Sequence, residues 1–256
     1  MRLMVRNGSC FVLGIAAVVA FAGVAGAGVK KVANASCSPL YGASICTSYR
    51  MQAGKITEVS LRVPIAMIEQ APANAPMIWP PKPDLAIPFA PVVAEQTGFT
   101  FADIYWNPHG HPPAAYATSH FDFHFYFAPQ RKIEAVDCKD SVKPQSLPAA
   151  YALPDVNLPG LGELVGFCVP GMGMHAVPAA DLTGKTRWSG SMLVGYYGGK
   201  SIFLEPMVTT ALLLQKRSFS LRIPQGIEPT AHVRYPREFR AVYLPKQNAY
   251  DFTFFY

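Results

Sequence analysis

The sequence predicts an all-β protein, mainly antiparallel, built as a single β-barrel or a barrel-like sandwich with long proline-rich loops. Three observations carry this. No segment sustains the 3.6-residue apolar period of an amphipathic helix. Short runs rich in aromatic and β-branched residues recur between proline and glycine punctuation, in a chain holding 24 prolines and 20 glycines. Residues 120–127 (HFDFHFYF) alternate strictly, which puts His120, Asp122, His124 and Tyr126 on one face of a strand and Phe121, Phe123, Phe125 and Phe127 on the other.

The elements follow in chain order. Arg2 and Arg6 precede an apolar run over residues 11–24, and Ala25-Gly26-Ala27 supplies a small-residue cleavage pattern, so residues 1–27 read as a secretory signal peptide. The run is short for a membrane span and is broken by Gly14 and Gly23. Residues 28–256 are then one domain, secreted or periplasmic, with no membrane span after cleavage. Residues 56–65 (ITEVSLRVPI) alternate as a strand, and 71–91, with seven prolines, form a surface loop. Residues 99–106 (FTFADIYW) and 120–127 are strands; 141–163 form a second proline-rich loop. Residues 192–197 and 201–214 flank Gly198-Gly199 as a hairpin. Residues 219–223, 239–244 and 250–256 are the closing strands, and barrel closure would hide the edges of such aromatic strands.

Cysteine usage agrees with export. Beyond Cys10 of the leader, the chain holds Cys37, Cys46, Cys138 and Cys168, an even number that suggests two disulfides in an oxidising compartment. Cys37–Cys46 and Cys138–Cys168 is the preferred pairing, with the other two connectivities open. No C-x-x-C spacing points to a cysteine-ligated metal. The formal charge of +6, of which Arg2 and Arg6 of the leader carry two, comes without a Lys/Arg-rich run or a basic strip with interleaved aromatics, so nucleic acid is excluded as a partner. The sequence has no P-loop, no GxGxxG after a strand and no GxSxG elbow.

The chemistry concentrates in the histidines. Of six in the chain, His109, His111, His120 and His124 fall within one short stretch. Imidazole is the commonest side-chain metal ligand. His175 follows a glycine-rich turn (PGMGMH), and Glu205 sits in an otherwise apolar strand, where a carboxylate is either solvent-facing or engaged. Three histidines and a carboxylate from separate strands make a first shell for a divalent metal. The expected ligands are His120, His124, His175 and Glu205, with His111 as substitute. Asp122 would orient a histidine, and Asp122 and His111 are the candidate catalytic groups. Strand geometry restrains this set: at ~3.3 Å per residue the Cα atoms of His120 and His124 lie about 13 Å apart, so both reach one ion only if the strand is bulged or bent at its start. His109 is expected to be an exposed loop residue and His232 a structural one.

The blocks WNPHGHPP, HFDFHFY, GMGMH and FLEPM resemble the successive signatures of a bacterial domain-of-unknown-function family known by its GH…HFDFHFY motif and its Thermus prototype. The resemblance spans roughly residues 95–215. It implies a β-rich, barrel-like fold with a His/Glu constellation at His111, His120, Asp122, His124, His175 and Glu205; the family's activity is unsettled. Ser119 stands where proline is expected before HFDFHFY. A looser analogy is to cupins, which also join several histidines and a glutamate on barrel strands.

Three function classes remain. A metal-dependent enzyme would use the ion as Lewis acid or to activate water, in hydrolysis, isomerisation or cyclisation of a small molecule. The ion is expected to be zinc, with manganese, iron or copper as alternatives. A non-catalytic metal or small-ligand carrier is the second class, and a purely structural metal the third. The partner expected is a small-molecule ligand or substrate; a homo-oligomer stays open.

Overall fold

The computed structural model describes residues 31–76, 78–184, 187–227 and 233–256. The expected leader and His232 lie outside these residues. Strands β1 (Lys31–Leu40), β2 (Ala43–Gln52) and β3 (Lys55–Pro64) form a meander. β4 (Leu85–Pro88), β5 (Phe101–Asn107) and β6 (His120–Tyr126) follow. Short strands β7 (Tyr151–Ala152), β8 (Val156–Leu158) and β9 (Gly162–Leu164) lead to β10 (Met174–Pro178). The hairpin of β11 (Gly190–Tyr197) and β12 (Lys200–Thr209) turns at Gly198-Gly199. β13 (Phe219–Leu221), β14 (Glu238–Leu244) and β15 (Ala249–Phe255) complete the set.

The strands make two open sheets, one in the order β1-β2-β3-β15-β14-β13 and the other β4-β5-β6-β12-β11-β10-β7, plus the small β8-β9 hairpin. Every ladder between them is antiparallel. Of the two expected architectures the molecule adopts the sandwich: neither sheet closes on itself, and each keeps two edges. The phenylalanine face of β6 makes the join between the sheets. Phe123 meets Phe252 edge-on at 4.7 Å between centroids and Phe125 meets Phe254 at 4.8 Å. All four rings are fully buried. Each is worth about 1.5–3 kcal/mol in transfer from water, and edge-to-face packing adds to that.

Two loops hold more structure than the sequence suggests. The segment 71–91 contains β4, an edge strand ending at Pro88, where a missing N–H leaves no ladder bond unmade. The segment 141–163 contains β7 and the β8-β9 hairpin. The β1-β2 hairpin has no counterpart among the strands expected from the sequence. It carries Cys37 directly opposite Cys46, and these two form one disulfide; Cys138 and Cys168 form the other. Helices are short. One, α1 (Pro91–Thr97), starts on a proline whose fixed φ suits a first helical turn and ends at Gly98 in the left-handed region. No helix among the described residues is long and apolar enough to cross a membrane.

Candidate metal centre

Strands β5, β6 and β12 lie side by side, and period-two alternation decides which side chains share the sheet face turned away from the sandwich core. Phe101, Asp103, Tyr105 and Asn107 of β5 stand opposite Tyr126, His124, Asp122 and His120 of β6. On the other flank of β6, Phe203, Met207 and Thr209 of β12 face Tyr126, Asp122 and His120, and that register sets Glu205 beside His124. His175 of β10 pairs with Gly195 of β11, which pairs with Phe203. A Cβ at Gly195 would fall 1.9–2.2 Å from carbons of the Phe203 ring. The ring therefore lies across the glycine, 4.8 Å from the His124 ring and 5.2 Å from that of His175.

His111 arrives from the loop that precedes β6 and folds back over the sheet. Gly110 makes this fold-back: its φ is +70°, and a Cβ there would meet the Tyr116 carbonyl oxygen at 2.1 Å. Only glycine satisfies both constraints.

The buried donors gather into two groups, His124–His175–Glu205 and His111–His120–Asp122. Within each, one ligand atom from every residue lies within 4.8 Å of the others. In the first group Glu205 Oε2 is 3.5 Å from His124 Nε2 and 3.9 Å from His175 Nε2. In the second, Asp122 Oδ1 is 3.1 Å from His120 Nε2 and Oδ2 is 3.4 Å from His111 Nε2. Asn107 also donates to Asp122 Oδ2 at 2.8 Å.

Backbone carbonyls set the tautomers of three rings. Nδ1 of His120 donates to Thr118 O at 2.7 Å, that of His111 to Pro112 O at 2.7 Å, and that of His175 to Phe167 O at 3.1 Å. A carbonyl only accepts, so Nδ1 carries the hydrogen and Nε2 of each neutral ring presents a lone pair. All three Nε2 atoms are aimed at a carboxylate oxygen. Lone pair against anion is repulsive unless a proton or a metal ion lies between them. The same carbonyl-to-Nδ1 bond orients metal-bound histidines in general. Both nitrogens of His124, Nε2 of His120, Oδ1 of Asp122 and Oε2 of Glu205 are buried without a hydrogen-bond partner. Each such atom costs about 1–3 kcal/mol. A divalent cation between the donors would remove both penalties, so the residues present fit a metal ion.

The two groups differ in their protons. Burial and the neighbouring His175 lower the His124 pKa to about 3, and burial lowers that of His175 to about 4. Burial pushes the Glu205 carboxyl well above its ordinary value, and the charge of Asp122 adds to this. In the second group burial works against ionisation, but the mutual attraction outweighs it: Asp122 is held far below the usual carboxylate range by His120 and His111, and His111 is raised by Asp122. The first group thus offers neutral imidazoles to a metal, and the second favours a proton-holding His–Asp pair.

Both groups form the floor of a cavity of about 370 Å³. His111, Asp122, His124, His175 and Glu205 line it, while His120 lies beneath, fully buried. Its walls are mostly apolar, from Tyr105, Phe167, Val169, Met172 and Leu193 to Ile78, Trp79, Leu158 and Leu161 at the mouth, with Asn107 and Tyr116 also in the lining.

The four expected ligands are therefore brought to one sheet face, but in two groups. His124, His175 and Glu205 meet; His120 joins His111 and Asp122 instead, because β6 runs straight between them. His109 is exposed. Sequence reasoning missed Asp103 and Asn107. Asp103 sits across from His124, buried, with Oδ1 unpartnered. Burial and the charge of Glu134 raise it to about 8, with the Tyr105 hydroxyl pulling the other way. The alternation of residues 101–107 puts the two on one strand face but does not say whether that face is buried. No family model matches this sequence, and neither a curated protein nor a solved structure does.

Proposed function

We propose that the chain is an exported metal-dependent enzyme acting on a small molecule, with one divalent ion held by His124, His175 and Glu205. One observation carries this reading: the Nε2 atoms of His124 and His175 converge on an unpartnered, buried carboxylate oxygen at the floor of a cavity. Two histidines and a glutamate with space on the fourth side match a catalytic zinc site, and zinc is the proposed ion. A bound ion there supplies Lewis acidity and lowers the pKa of its water. Asp122 and His111 line the same floor and pass a proton to or from the reacting group as general acid and base; Asn107 fixes Asp122 for this. Hydrolysis, isomerisation and cyclisation all suit such an arrangement. Two disulfides support export. The motif series supports placing the chain in the family it resembles. The enclosed apolar walls favour a second reading, a metal-containing carrier of small ligands.

Elemental analysis of protein purified without chelators should find about one equivalent of transition metal per chain. His175→Ala and Glu205→Gln should each reduce that occupancy at least tenfold. Metal-free protein that takes up none on titration would sink the reading, and full occupancy in both variants would show that the ion is held elsewhere.

A further inference from the structure

Resting on that reading, we infer that the ligand is an amphipathic small molecule with an apolar body and one oxygen-bearing head, seated head-down on the His124–His175–Glu205 floor. The distribution of polarity in the cavity carries this. Apart from His111 and Tyr116, whose hydroxyl is bonded to Asp181, the polar lining side chains stand on the sheet face that carries His124, His175 and Glu205; the rest of the lining is hydrocarbon and aromatic. A sugar needs hydrogen-bonding groups around its whole rim, and away from the sheet face this lining offers only His111 and a Tyr116 hydroxyl already bonded to Asp181. Among the described residues no lysine or arginine lines the cavity, so phosphate or sulfate would be left without the cation that such groups require.

The mouth adds a second observation. Ile78, Trp79 and Leu161 are 50%, 40% and 43% exposed, three of the six large apolar side chains most exposed among the described residues, and all three line this one opening. Single exposed apolar residues need no explanation, but a cluster at a cavity rim marks a surface that an apolar ligand covers. Pro81, Pro112 and Pro159 stiffen the same walls. The volume of about 370 Å³ sits near the small end of the roughly 300–1,000 Å³ typical of ligand pockets.

Two homologous series titrated by calorimetry test this. n-Alkyl hydroxamates from acetyl to decanoyl, added to zinc-loaded protein, should bind about fourfold tighter per methylene, the factor given by ~0.8 kcal/mol per buried CH₂, until the cavity is full. The n-alkanols from ethanol to decanol, added to metal-free protein, should show a similar slope with weaker affinity throughout. Trp79→Ala and Leu161→Asp, both at exposed positions, should flatten the slope, the octanoyl ligand losing more than the acetyl one. A flat alkanol series overturns the apolar body whether or not zinc binds. A steep alkanol series with no zinc uptake keeps the apolar body but removes the metal-bound head. Tight binding of inorganic phosphate or glucose in place of the alkyl series overturns the ligand class altogether.

Discussion

Asp103 and Glu205 are buried carboxyl groups on one sheet face, and burial raises the pKa of both. For Asp103 the consequence can be measured. Its pKa rises from 3.8 to about 8 on folding, chiefly through burial. Between those values the folded state holds a proton that the unfolded chain has released, so stability falls as pH rises through the window and is complete below about pH 4. Asparagine keeps the shape and cannot ionise. Asp103→Asn should therefore match the wild type near pH 4 and exceed it at pH 8 by at least ~2 kcal/mol, since each tenfold change in proton affinity is worth about 1.4 kcal/mol before relaxation. Urea unfolding at the two pH values measures this; parallel pH curves for the two proteins would mean that Asp103 is not held as a neutral acid. The histidines were the readable part of the site, because imidazole clusters stand out in any sequence. Asp103 was not, because one aspartate in an apolar run looks the same whether it is buried or facing water.

The elements show the same divide between local and distant information. The two faces of β6 were legible in full, since alternation is a nearest-neighbour property of the chain. What stands beside β6 was not. Glu205 meets His124 only because β12 pairs with β6 in one register, and His175 stands beside Gly195, whose missing side chain leaves room for the Phe203 ring that packs against it. The proline-rich stretches hid β4 and the β8-β9 hairpin for a related reason: short edge strands tolerate proline and lack an alternating signature. Gly195→Ala should displace the Phe203 ring, because the new methyl group would occupy its position. The expected cost is about 1–3 kcal/mol, as for other overpacked cores. Metal affinity should fall with it, because Phe203 packs on both His124 and His175. Thermal melting and zinc titration of the variant test this together, and unchanged affinity despite a lowered melting temperature would separate the ring from the site.

The whole molecule divides its labour between its sheets. One face of the seven-stranded sheet meets the six-stranded sheet through phenylalanine, and the other is roofed by loops that supply His111 and the cavity walls. The Cys138–Cys168 bond ties that roof down. Cys168 is buried between Phe167 and Val169, both in the cavity wall, and the Phe167 carbonyl accepts the Nδ1 hydrogen of His175. Replacing both cysteines by alanine should cost about 3–4 kcal/mol, as expected for a loop of this length. Zinc affinity should fall as well, since the carbonyl that orients His175 loses its anchor. Removing Cys37 and Cys46, on the opposite sheet, should lower stability and leave zinc affinity unchanged. Equal zinc affinity in both double variants would uncouple the bond from the site.

That bond also gives the proposed metal site a history. In a reducing compartment Cys138 and Cys168 remain thiols. The roof then lacks that covalent tie, while His175 is still held by its pairing in β10. Where the two sulfurs oxidise, the bond adds its constraint to the proposed ligand set. Protein sites of this kind discriminate poorly among divalent ions by affinity alone, so the ion retained is governed by what is available when the site closes. Oxidation would then act as the timing signal for metallation, and the occupant of the site would record where the chain finished folding.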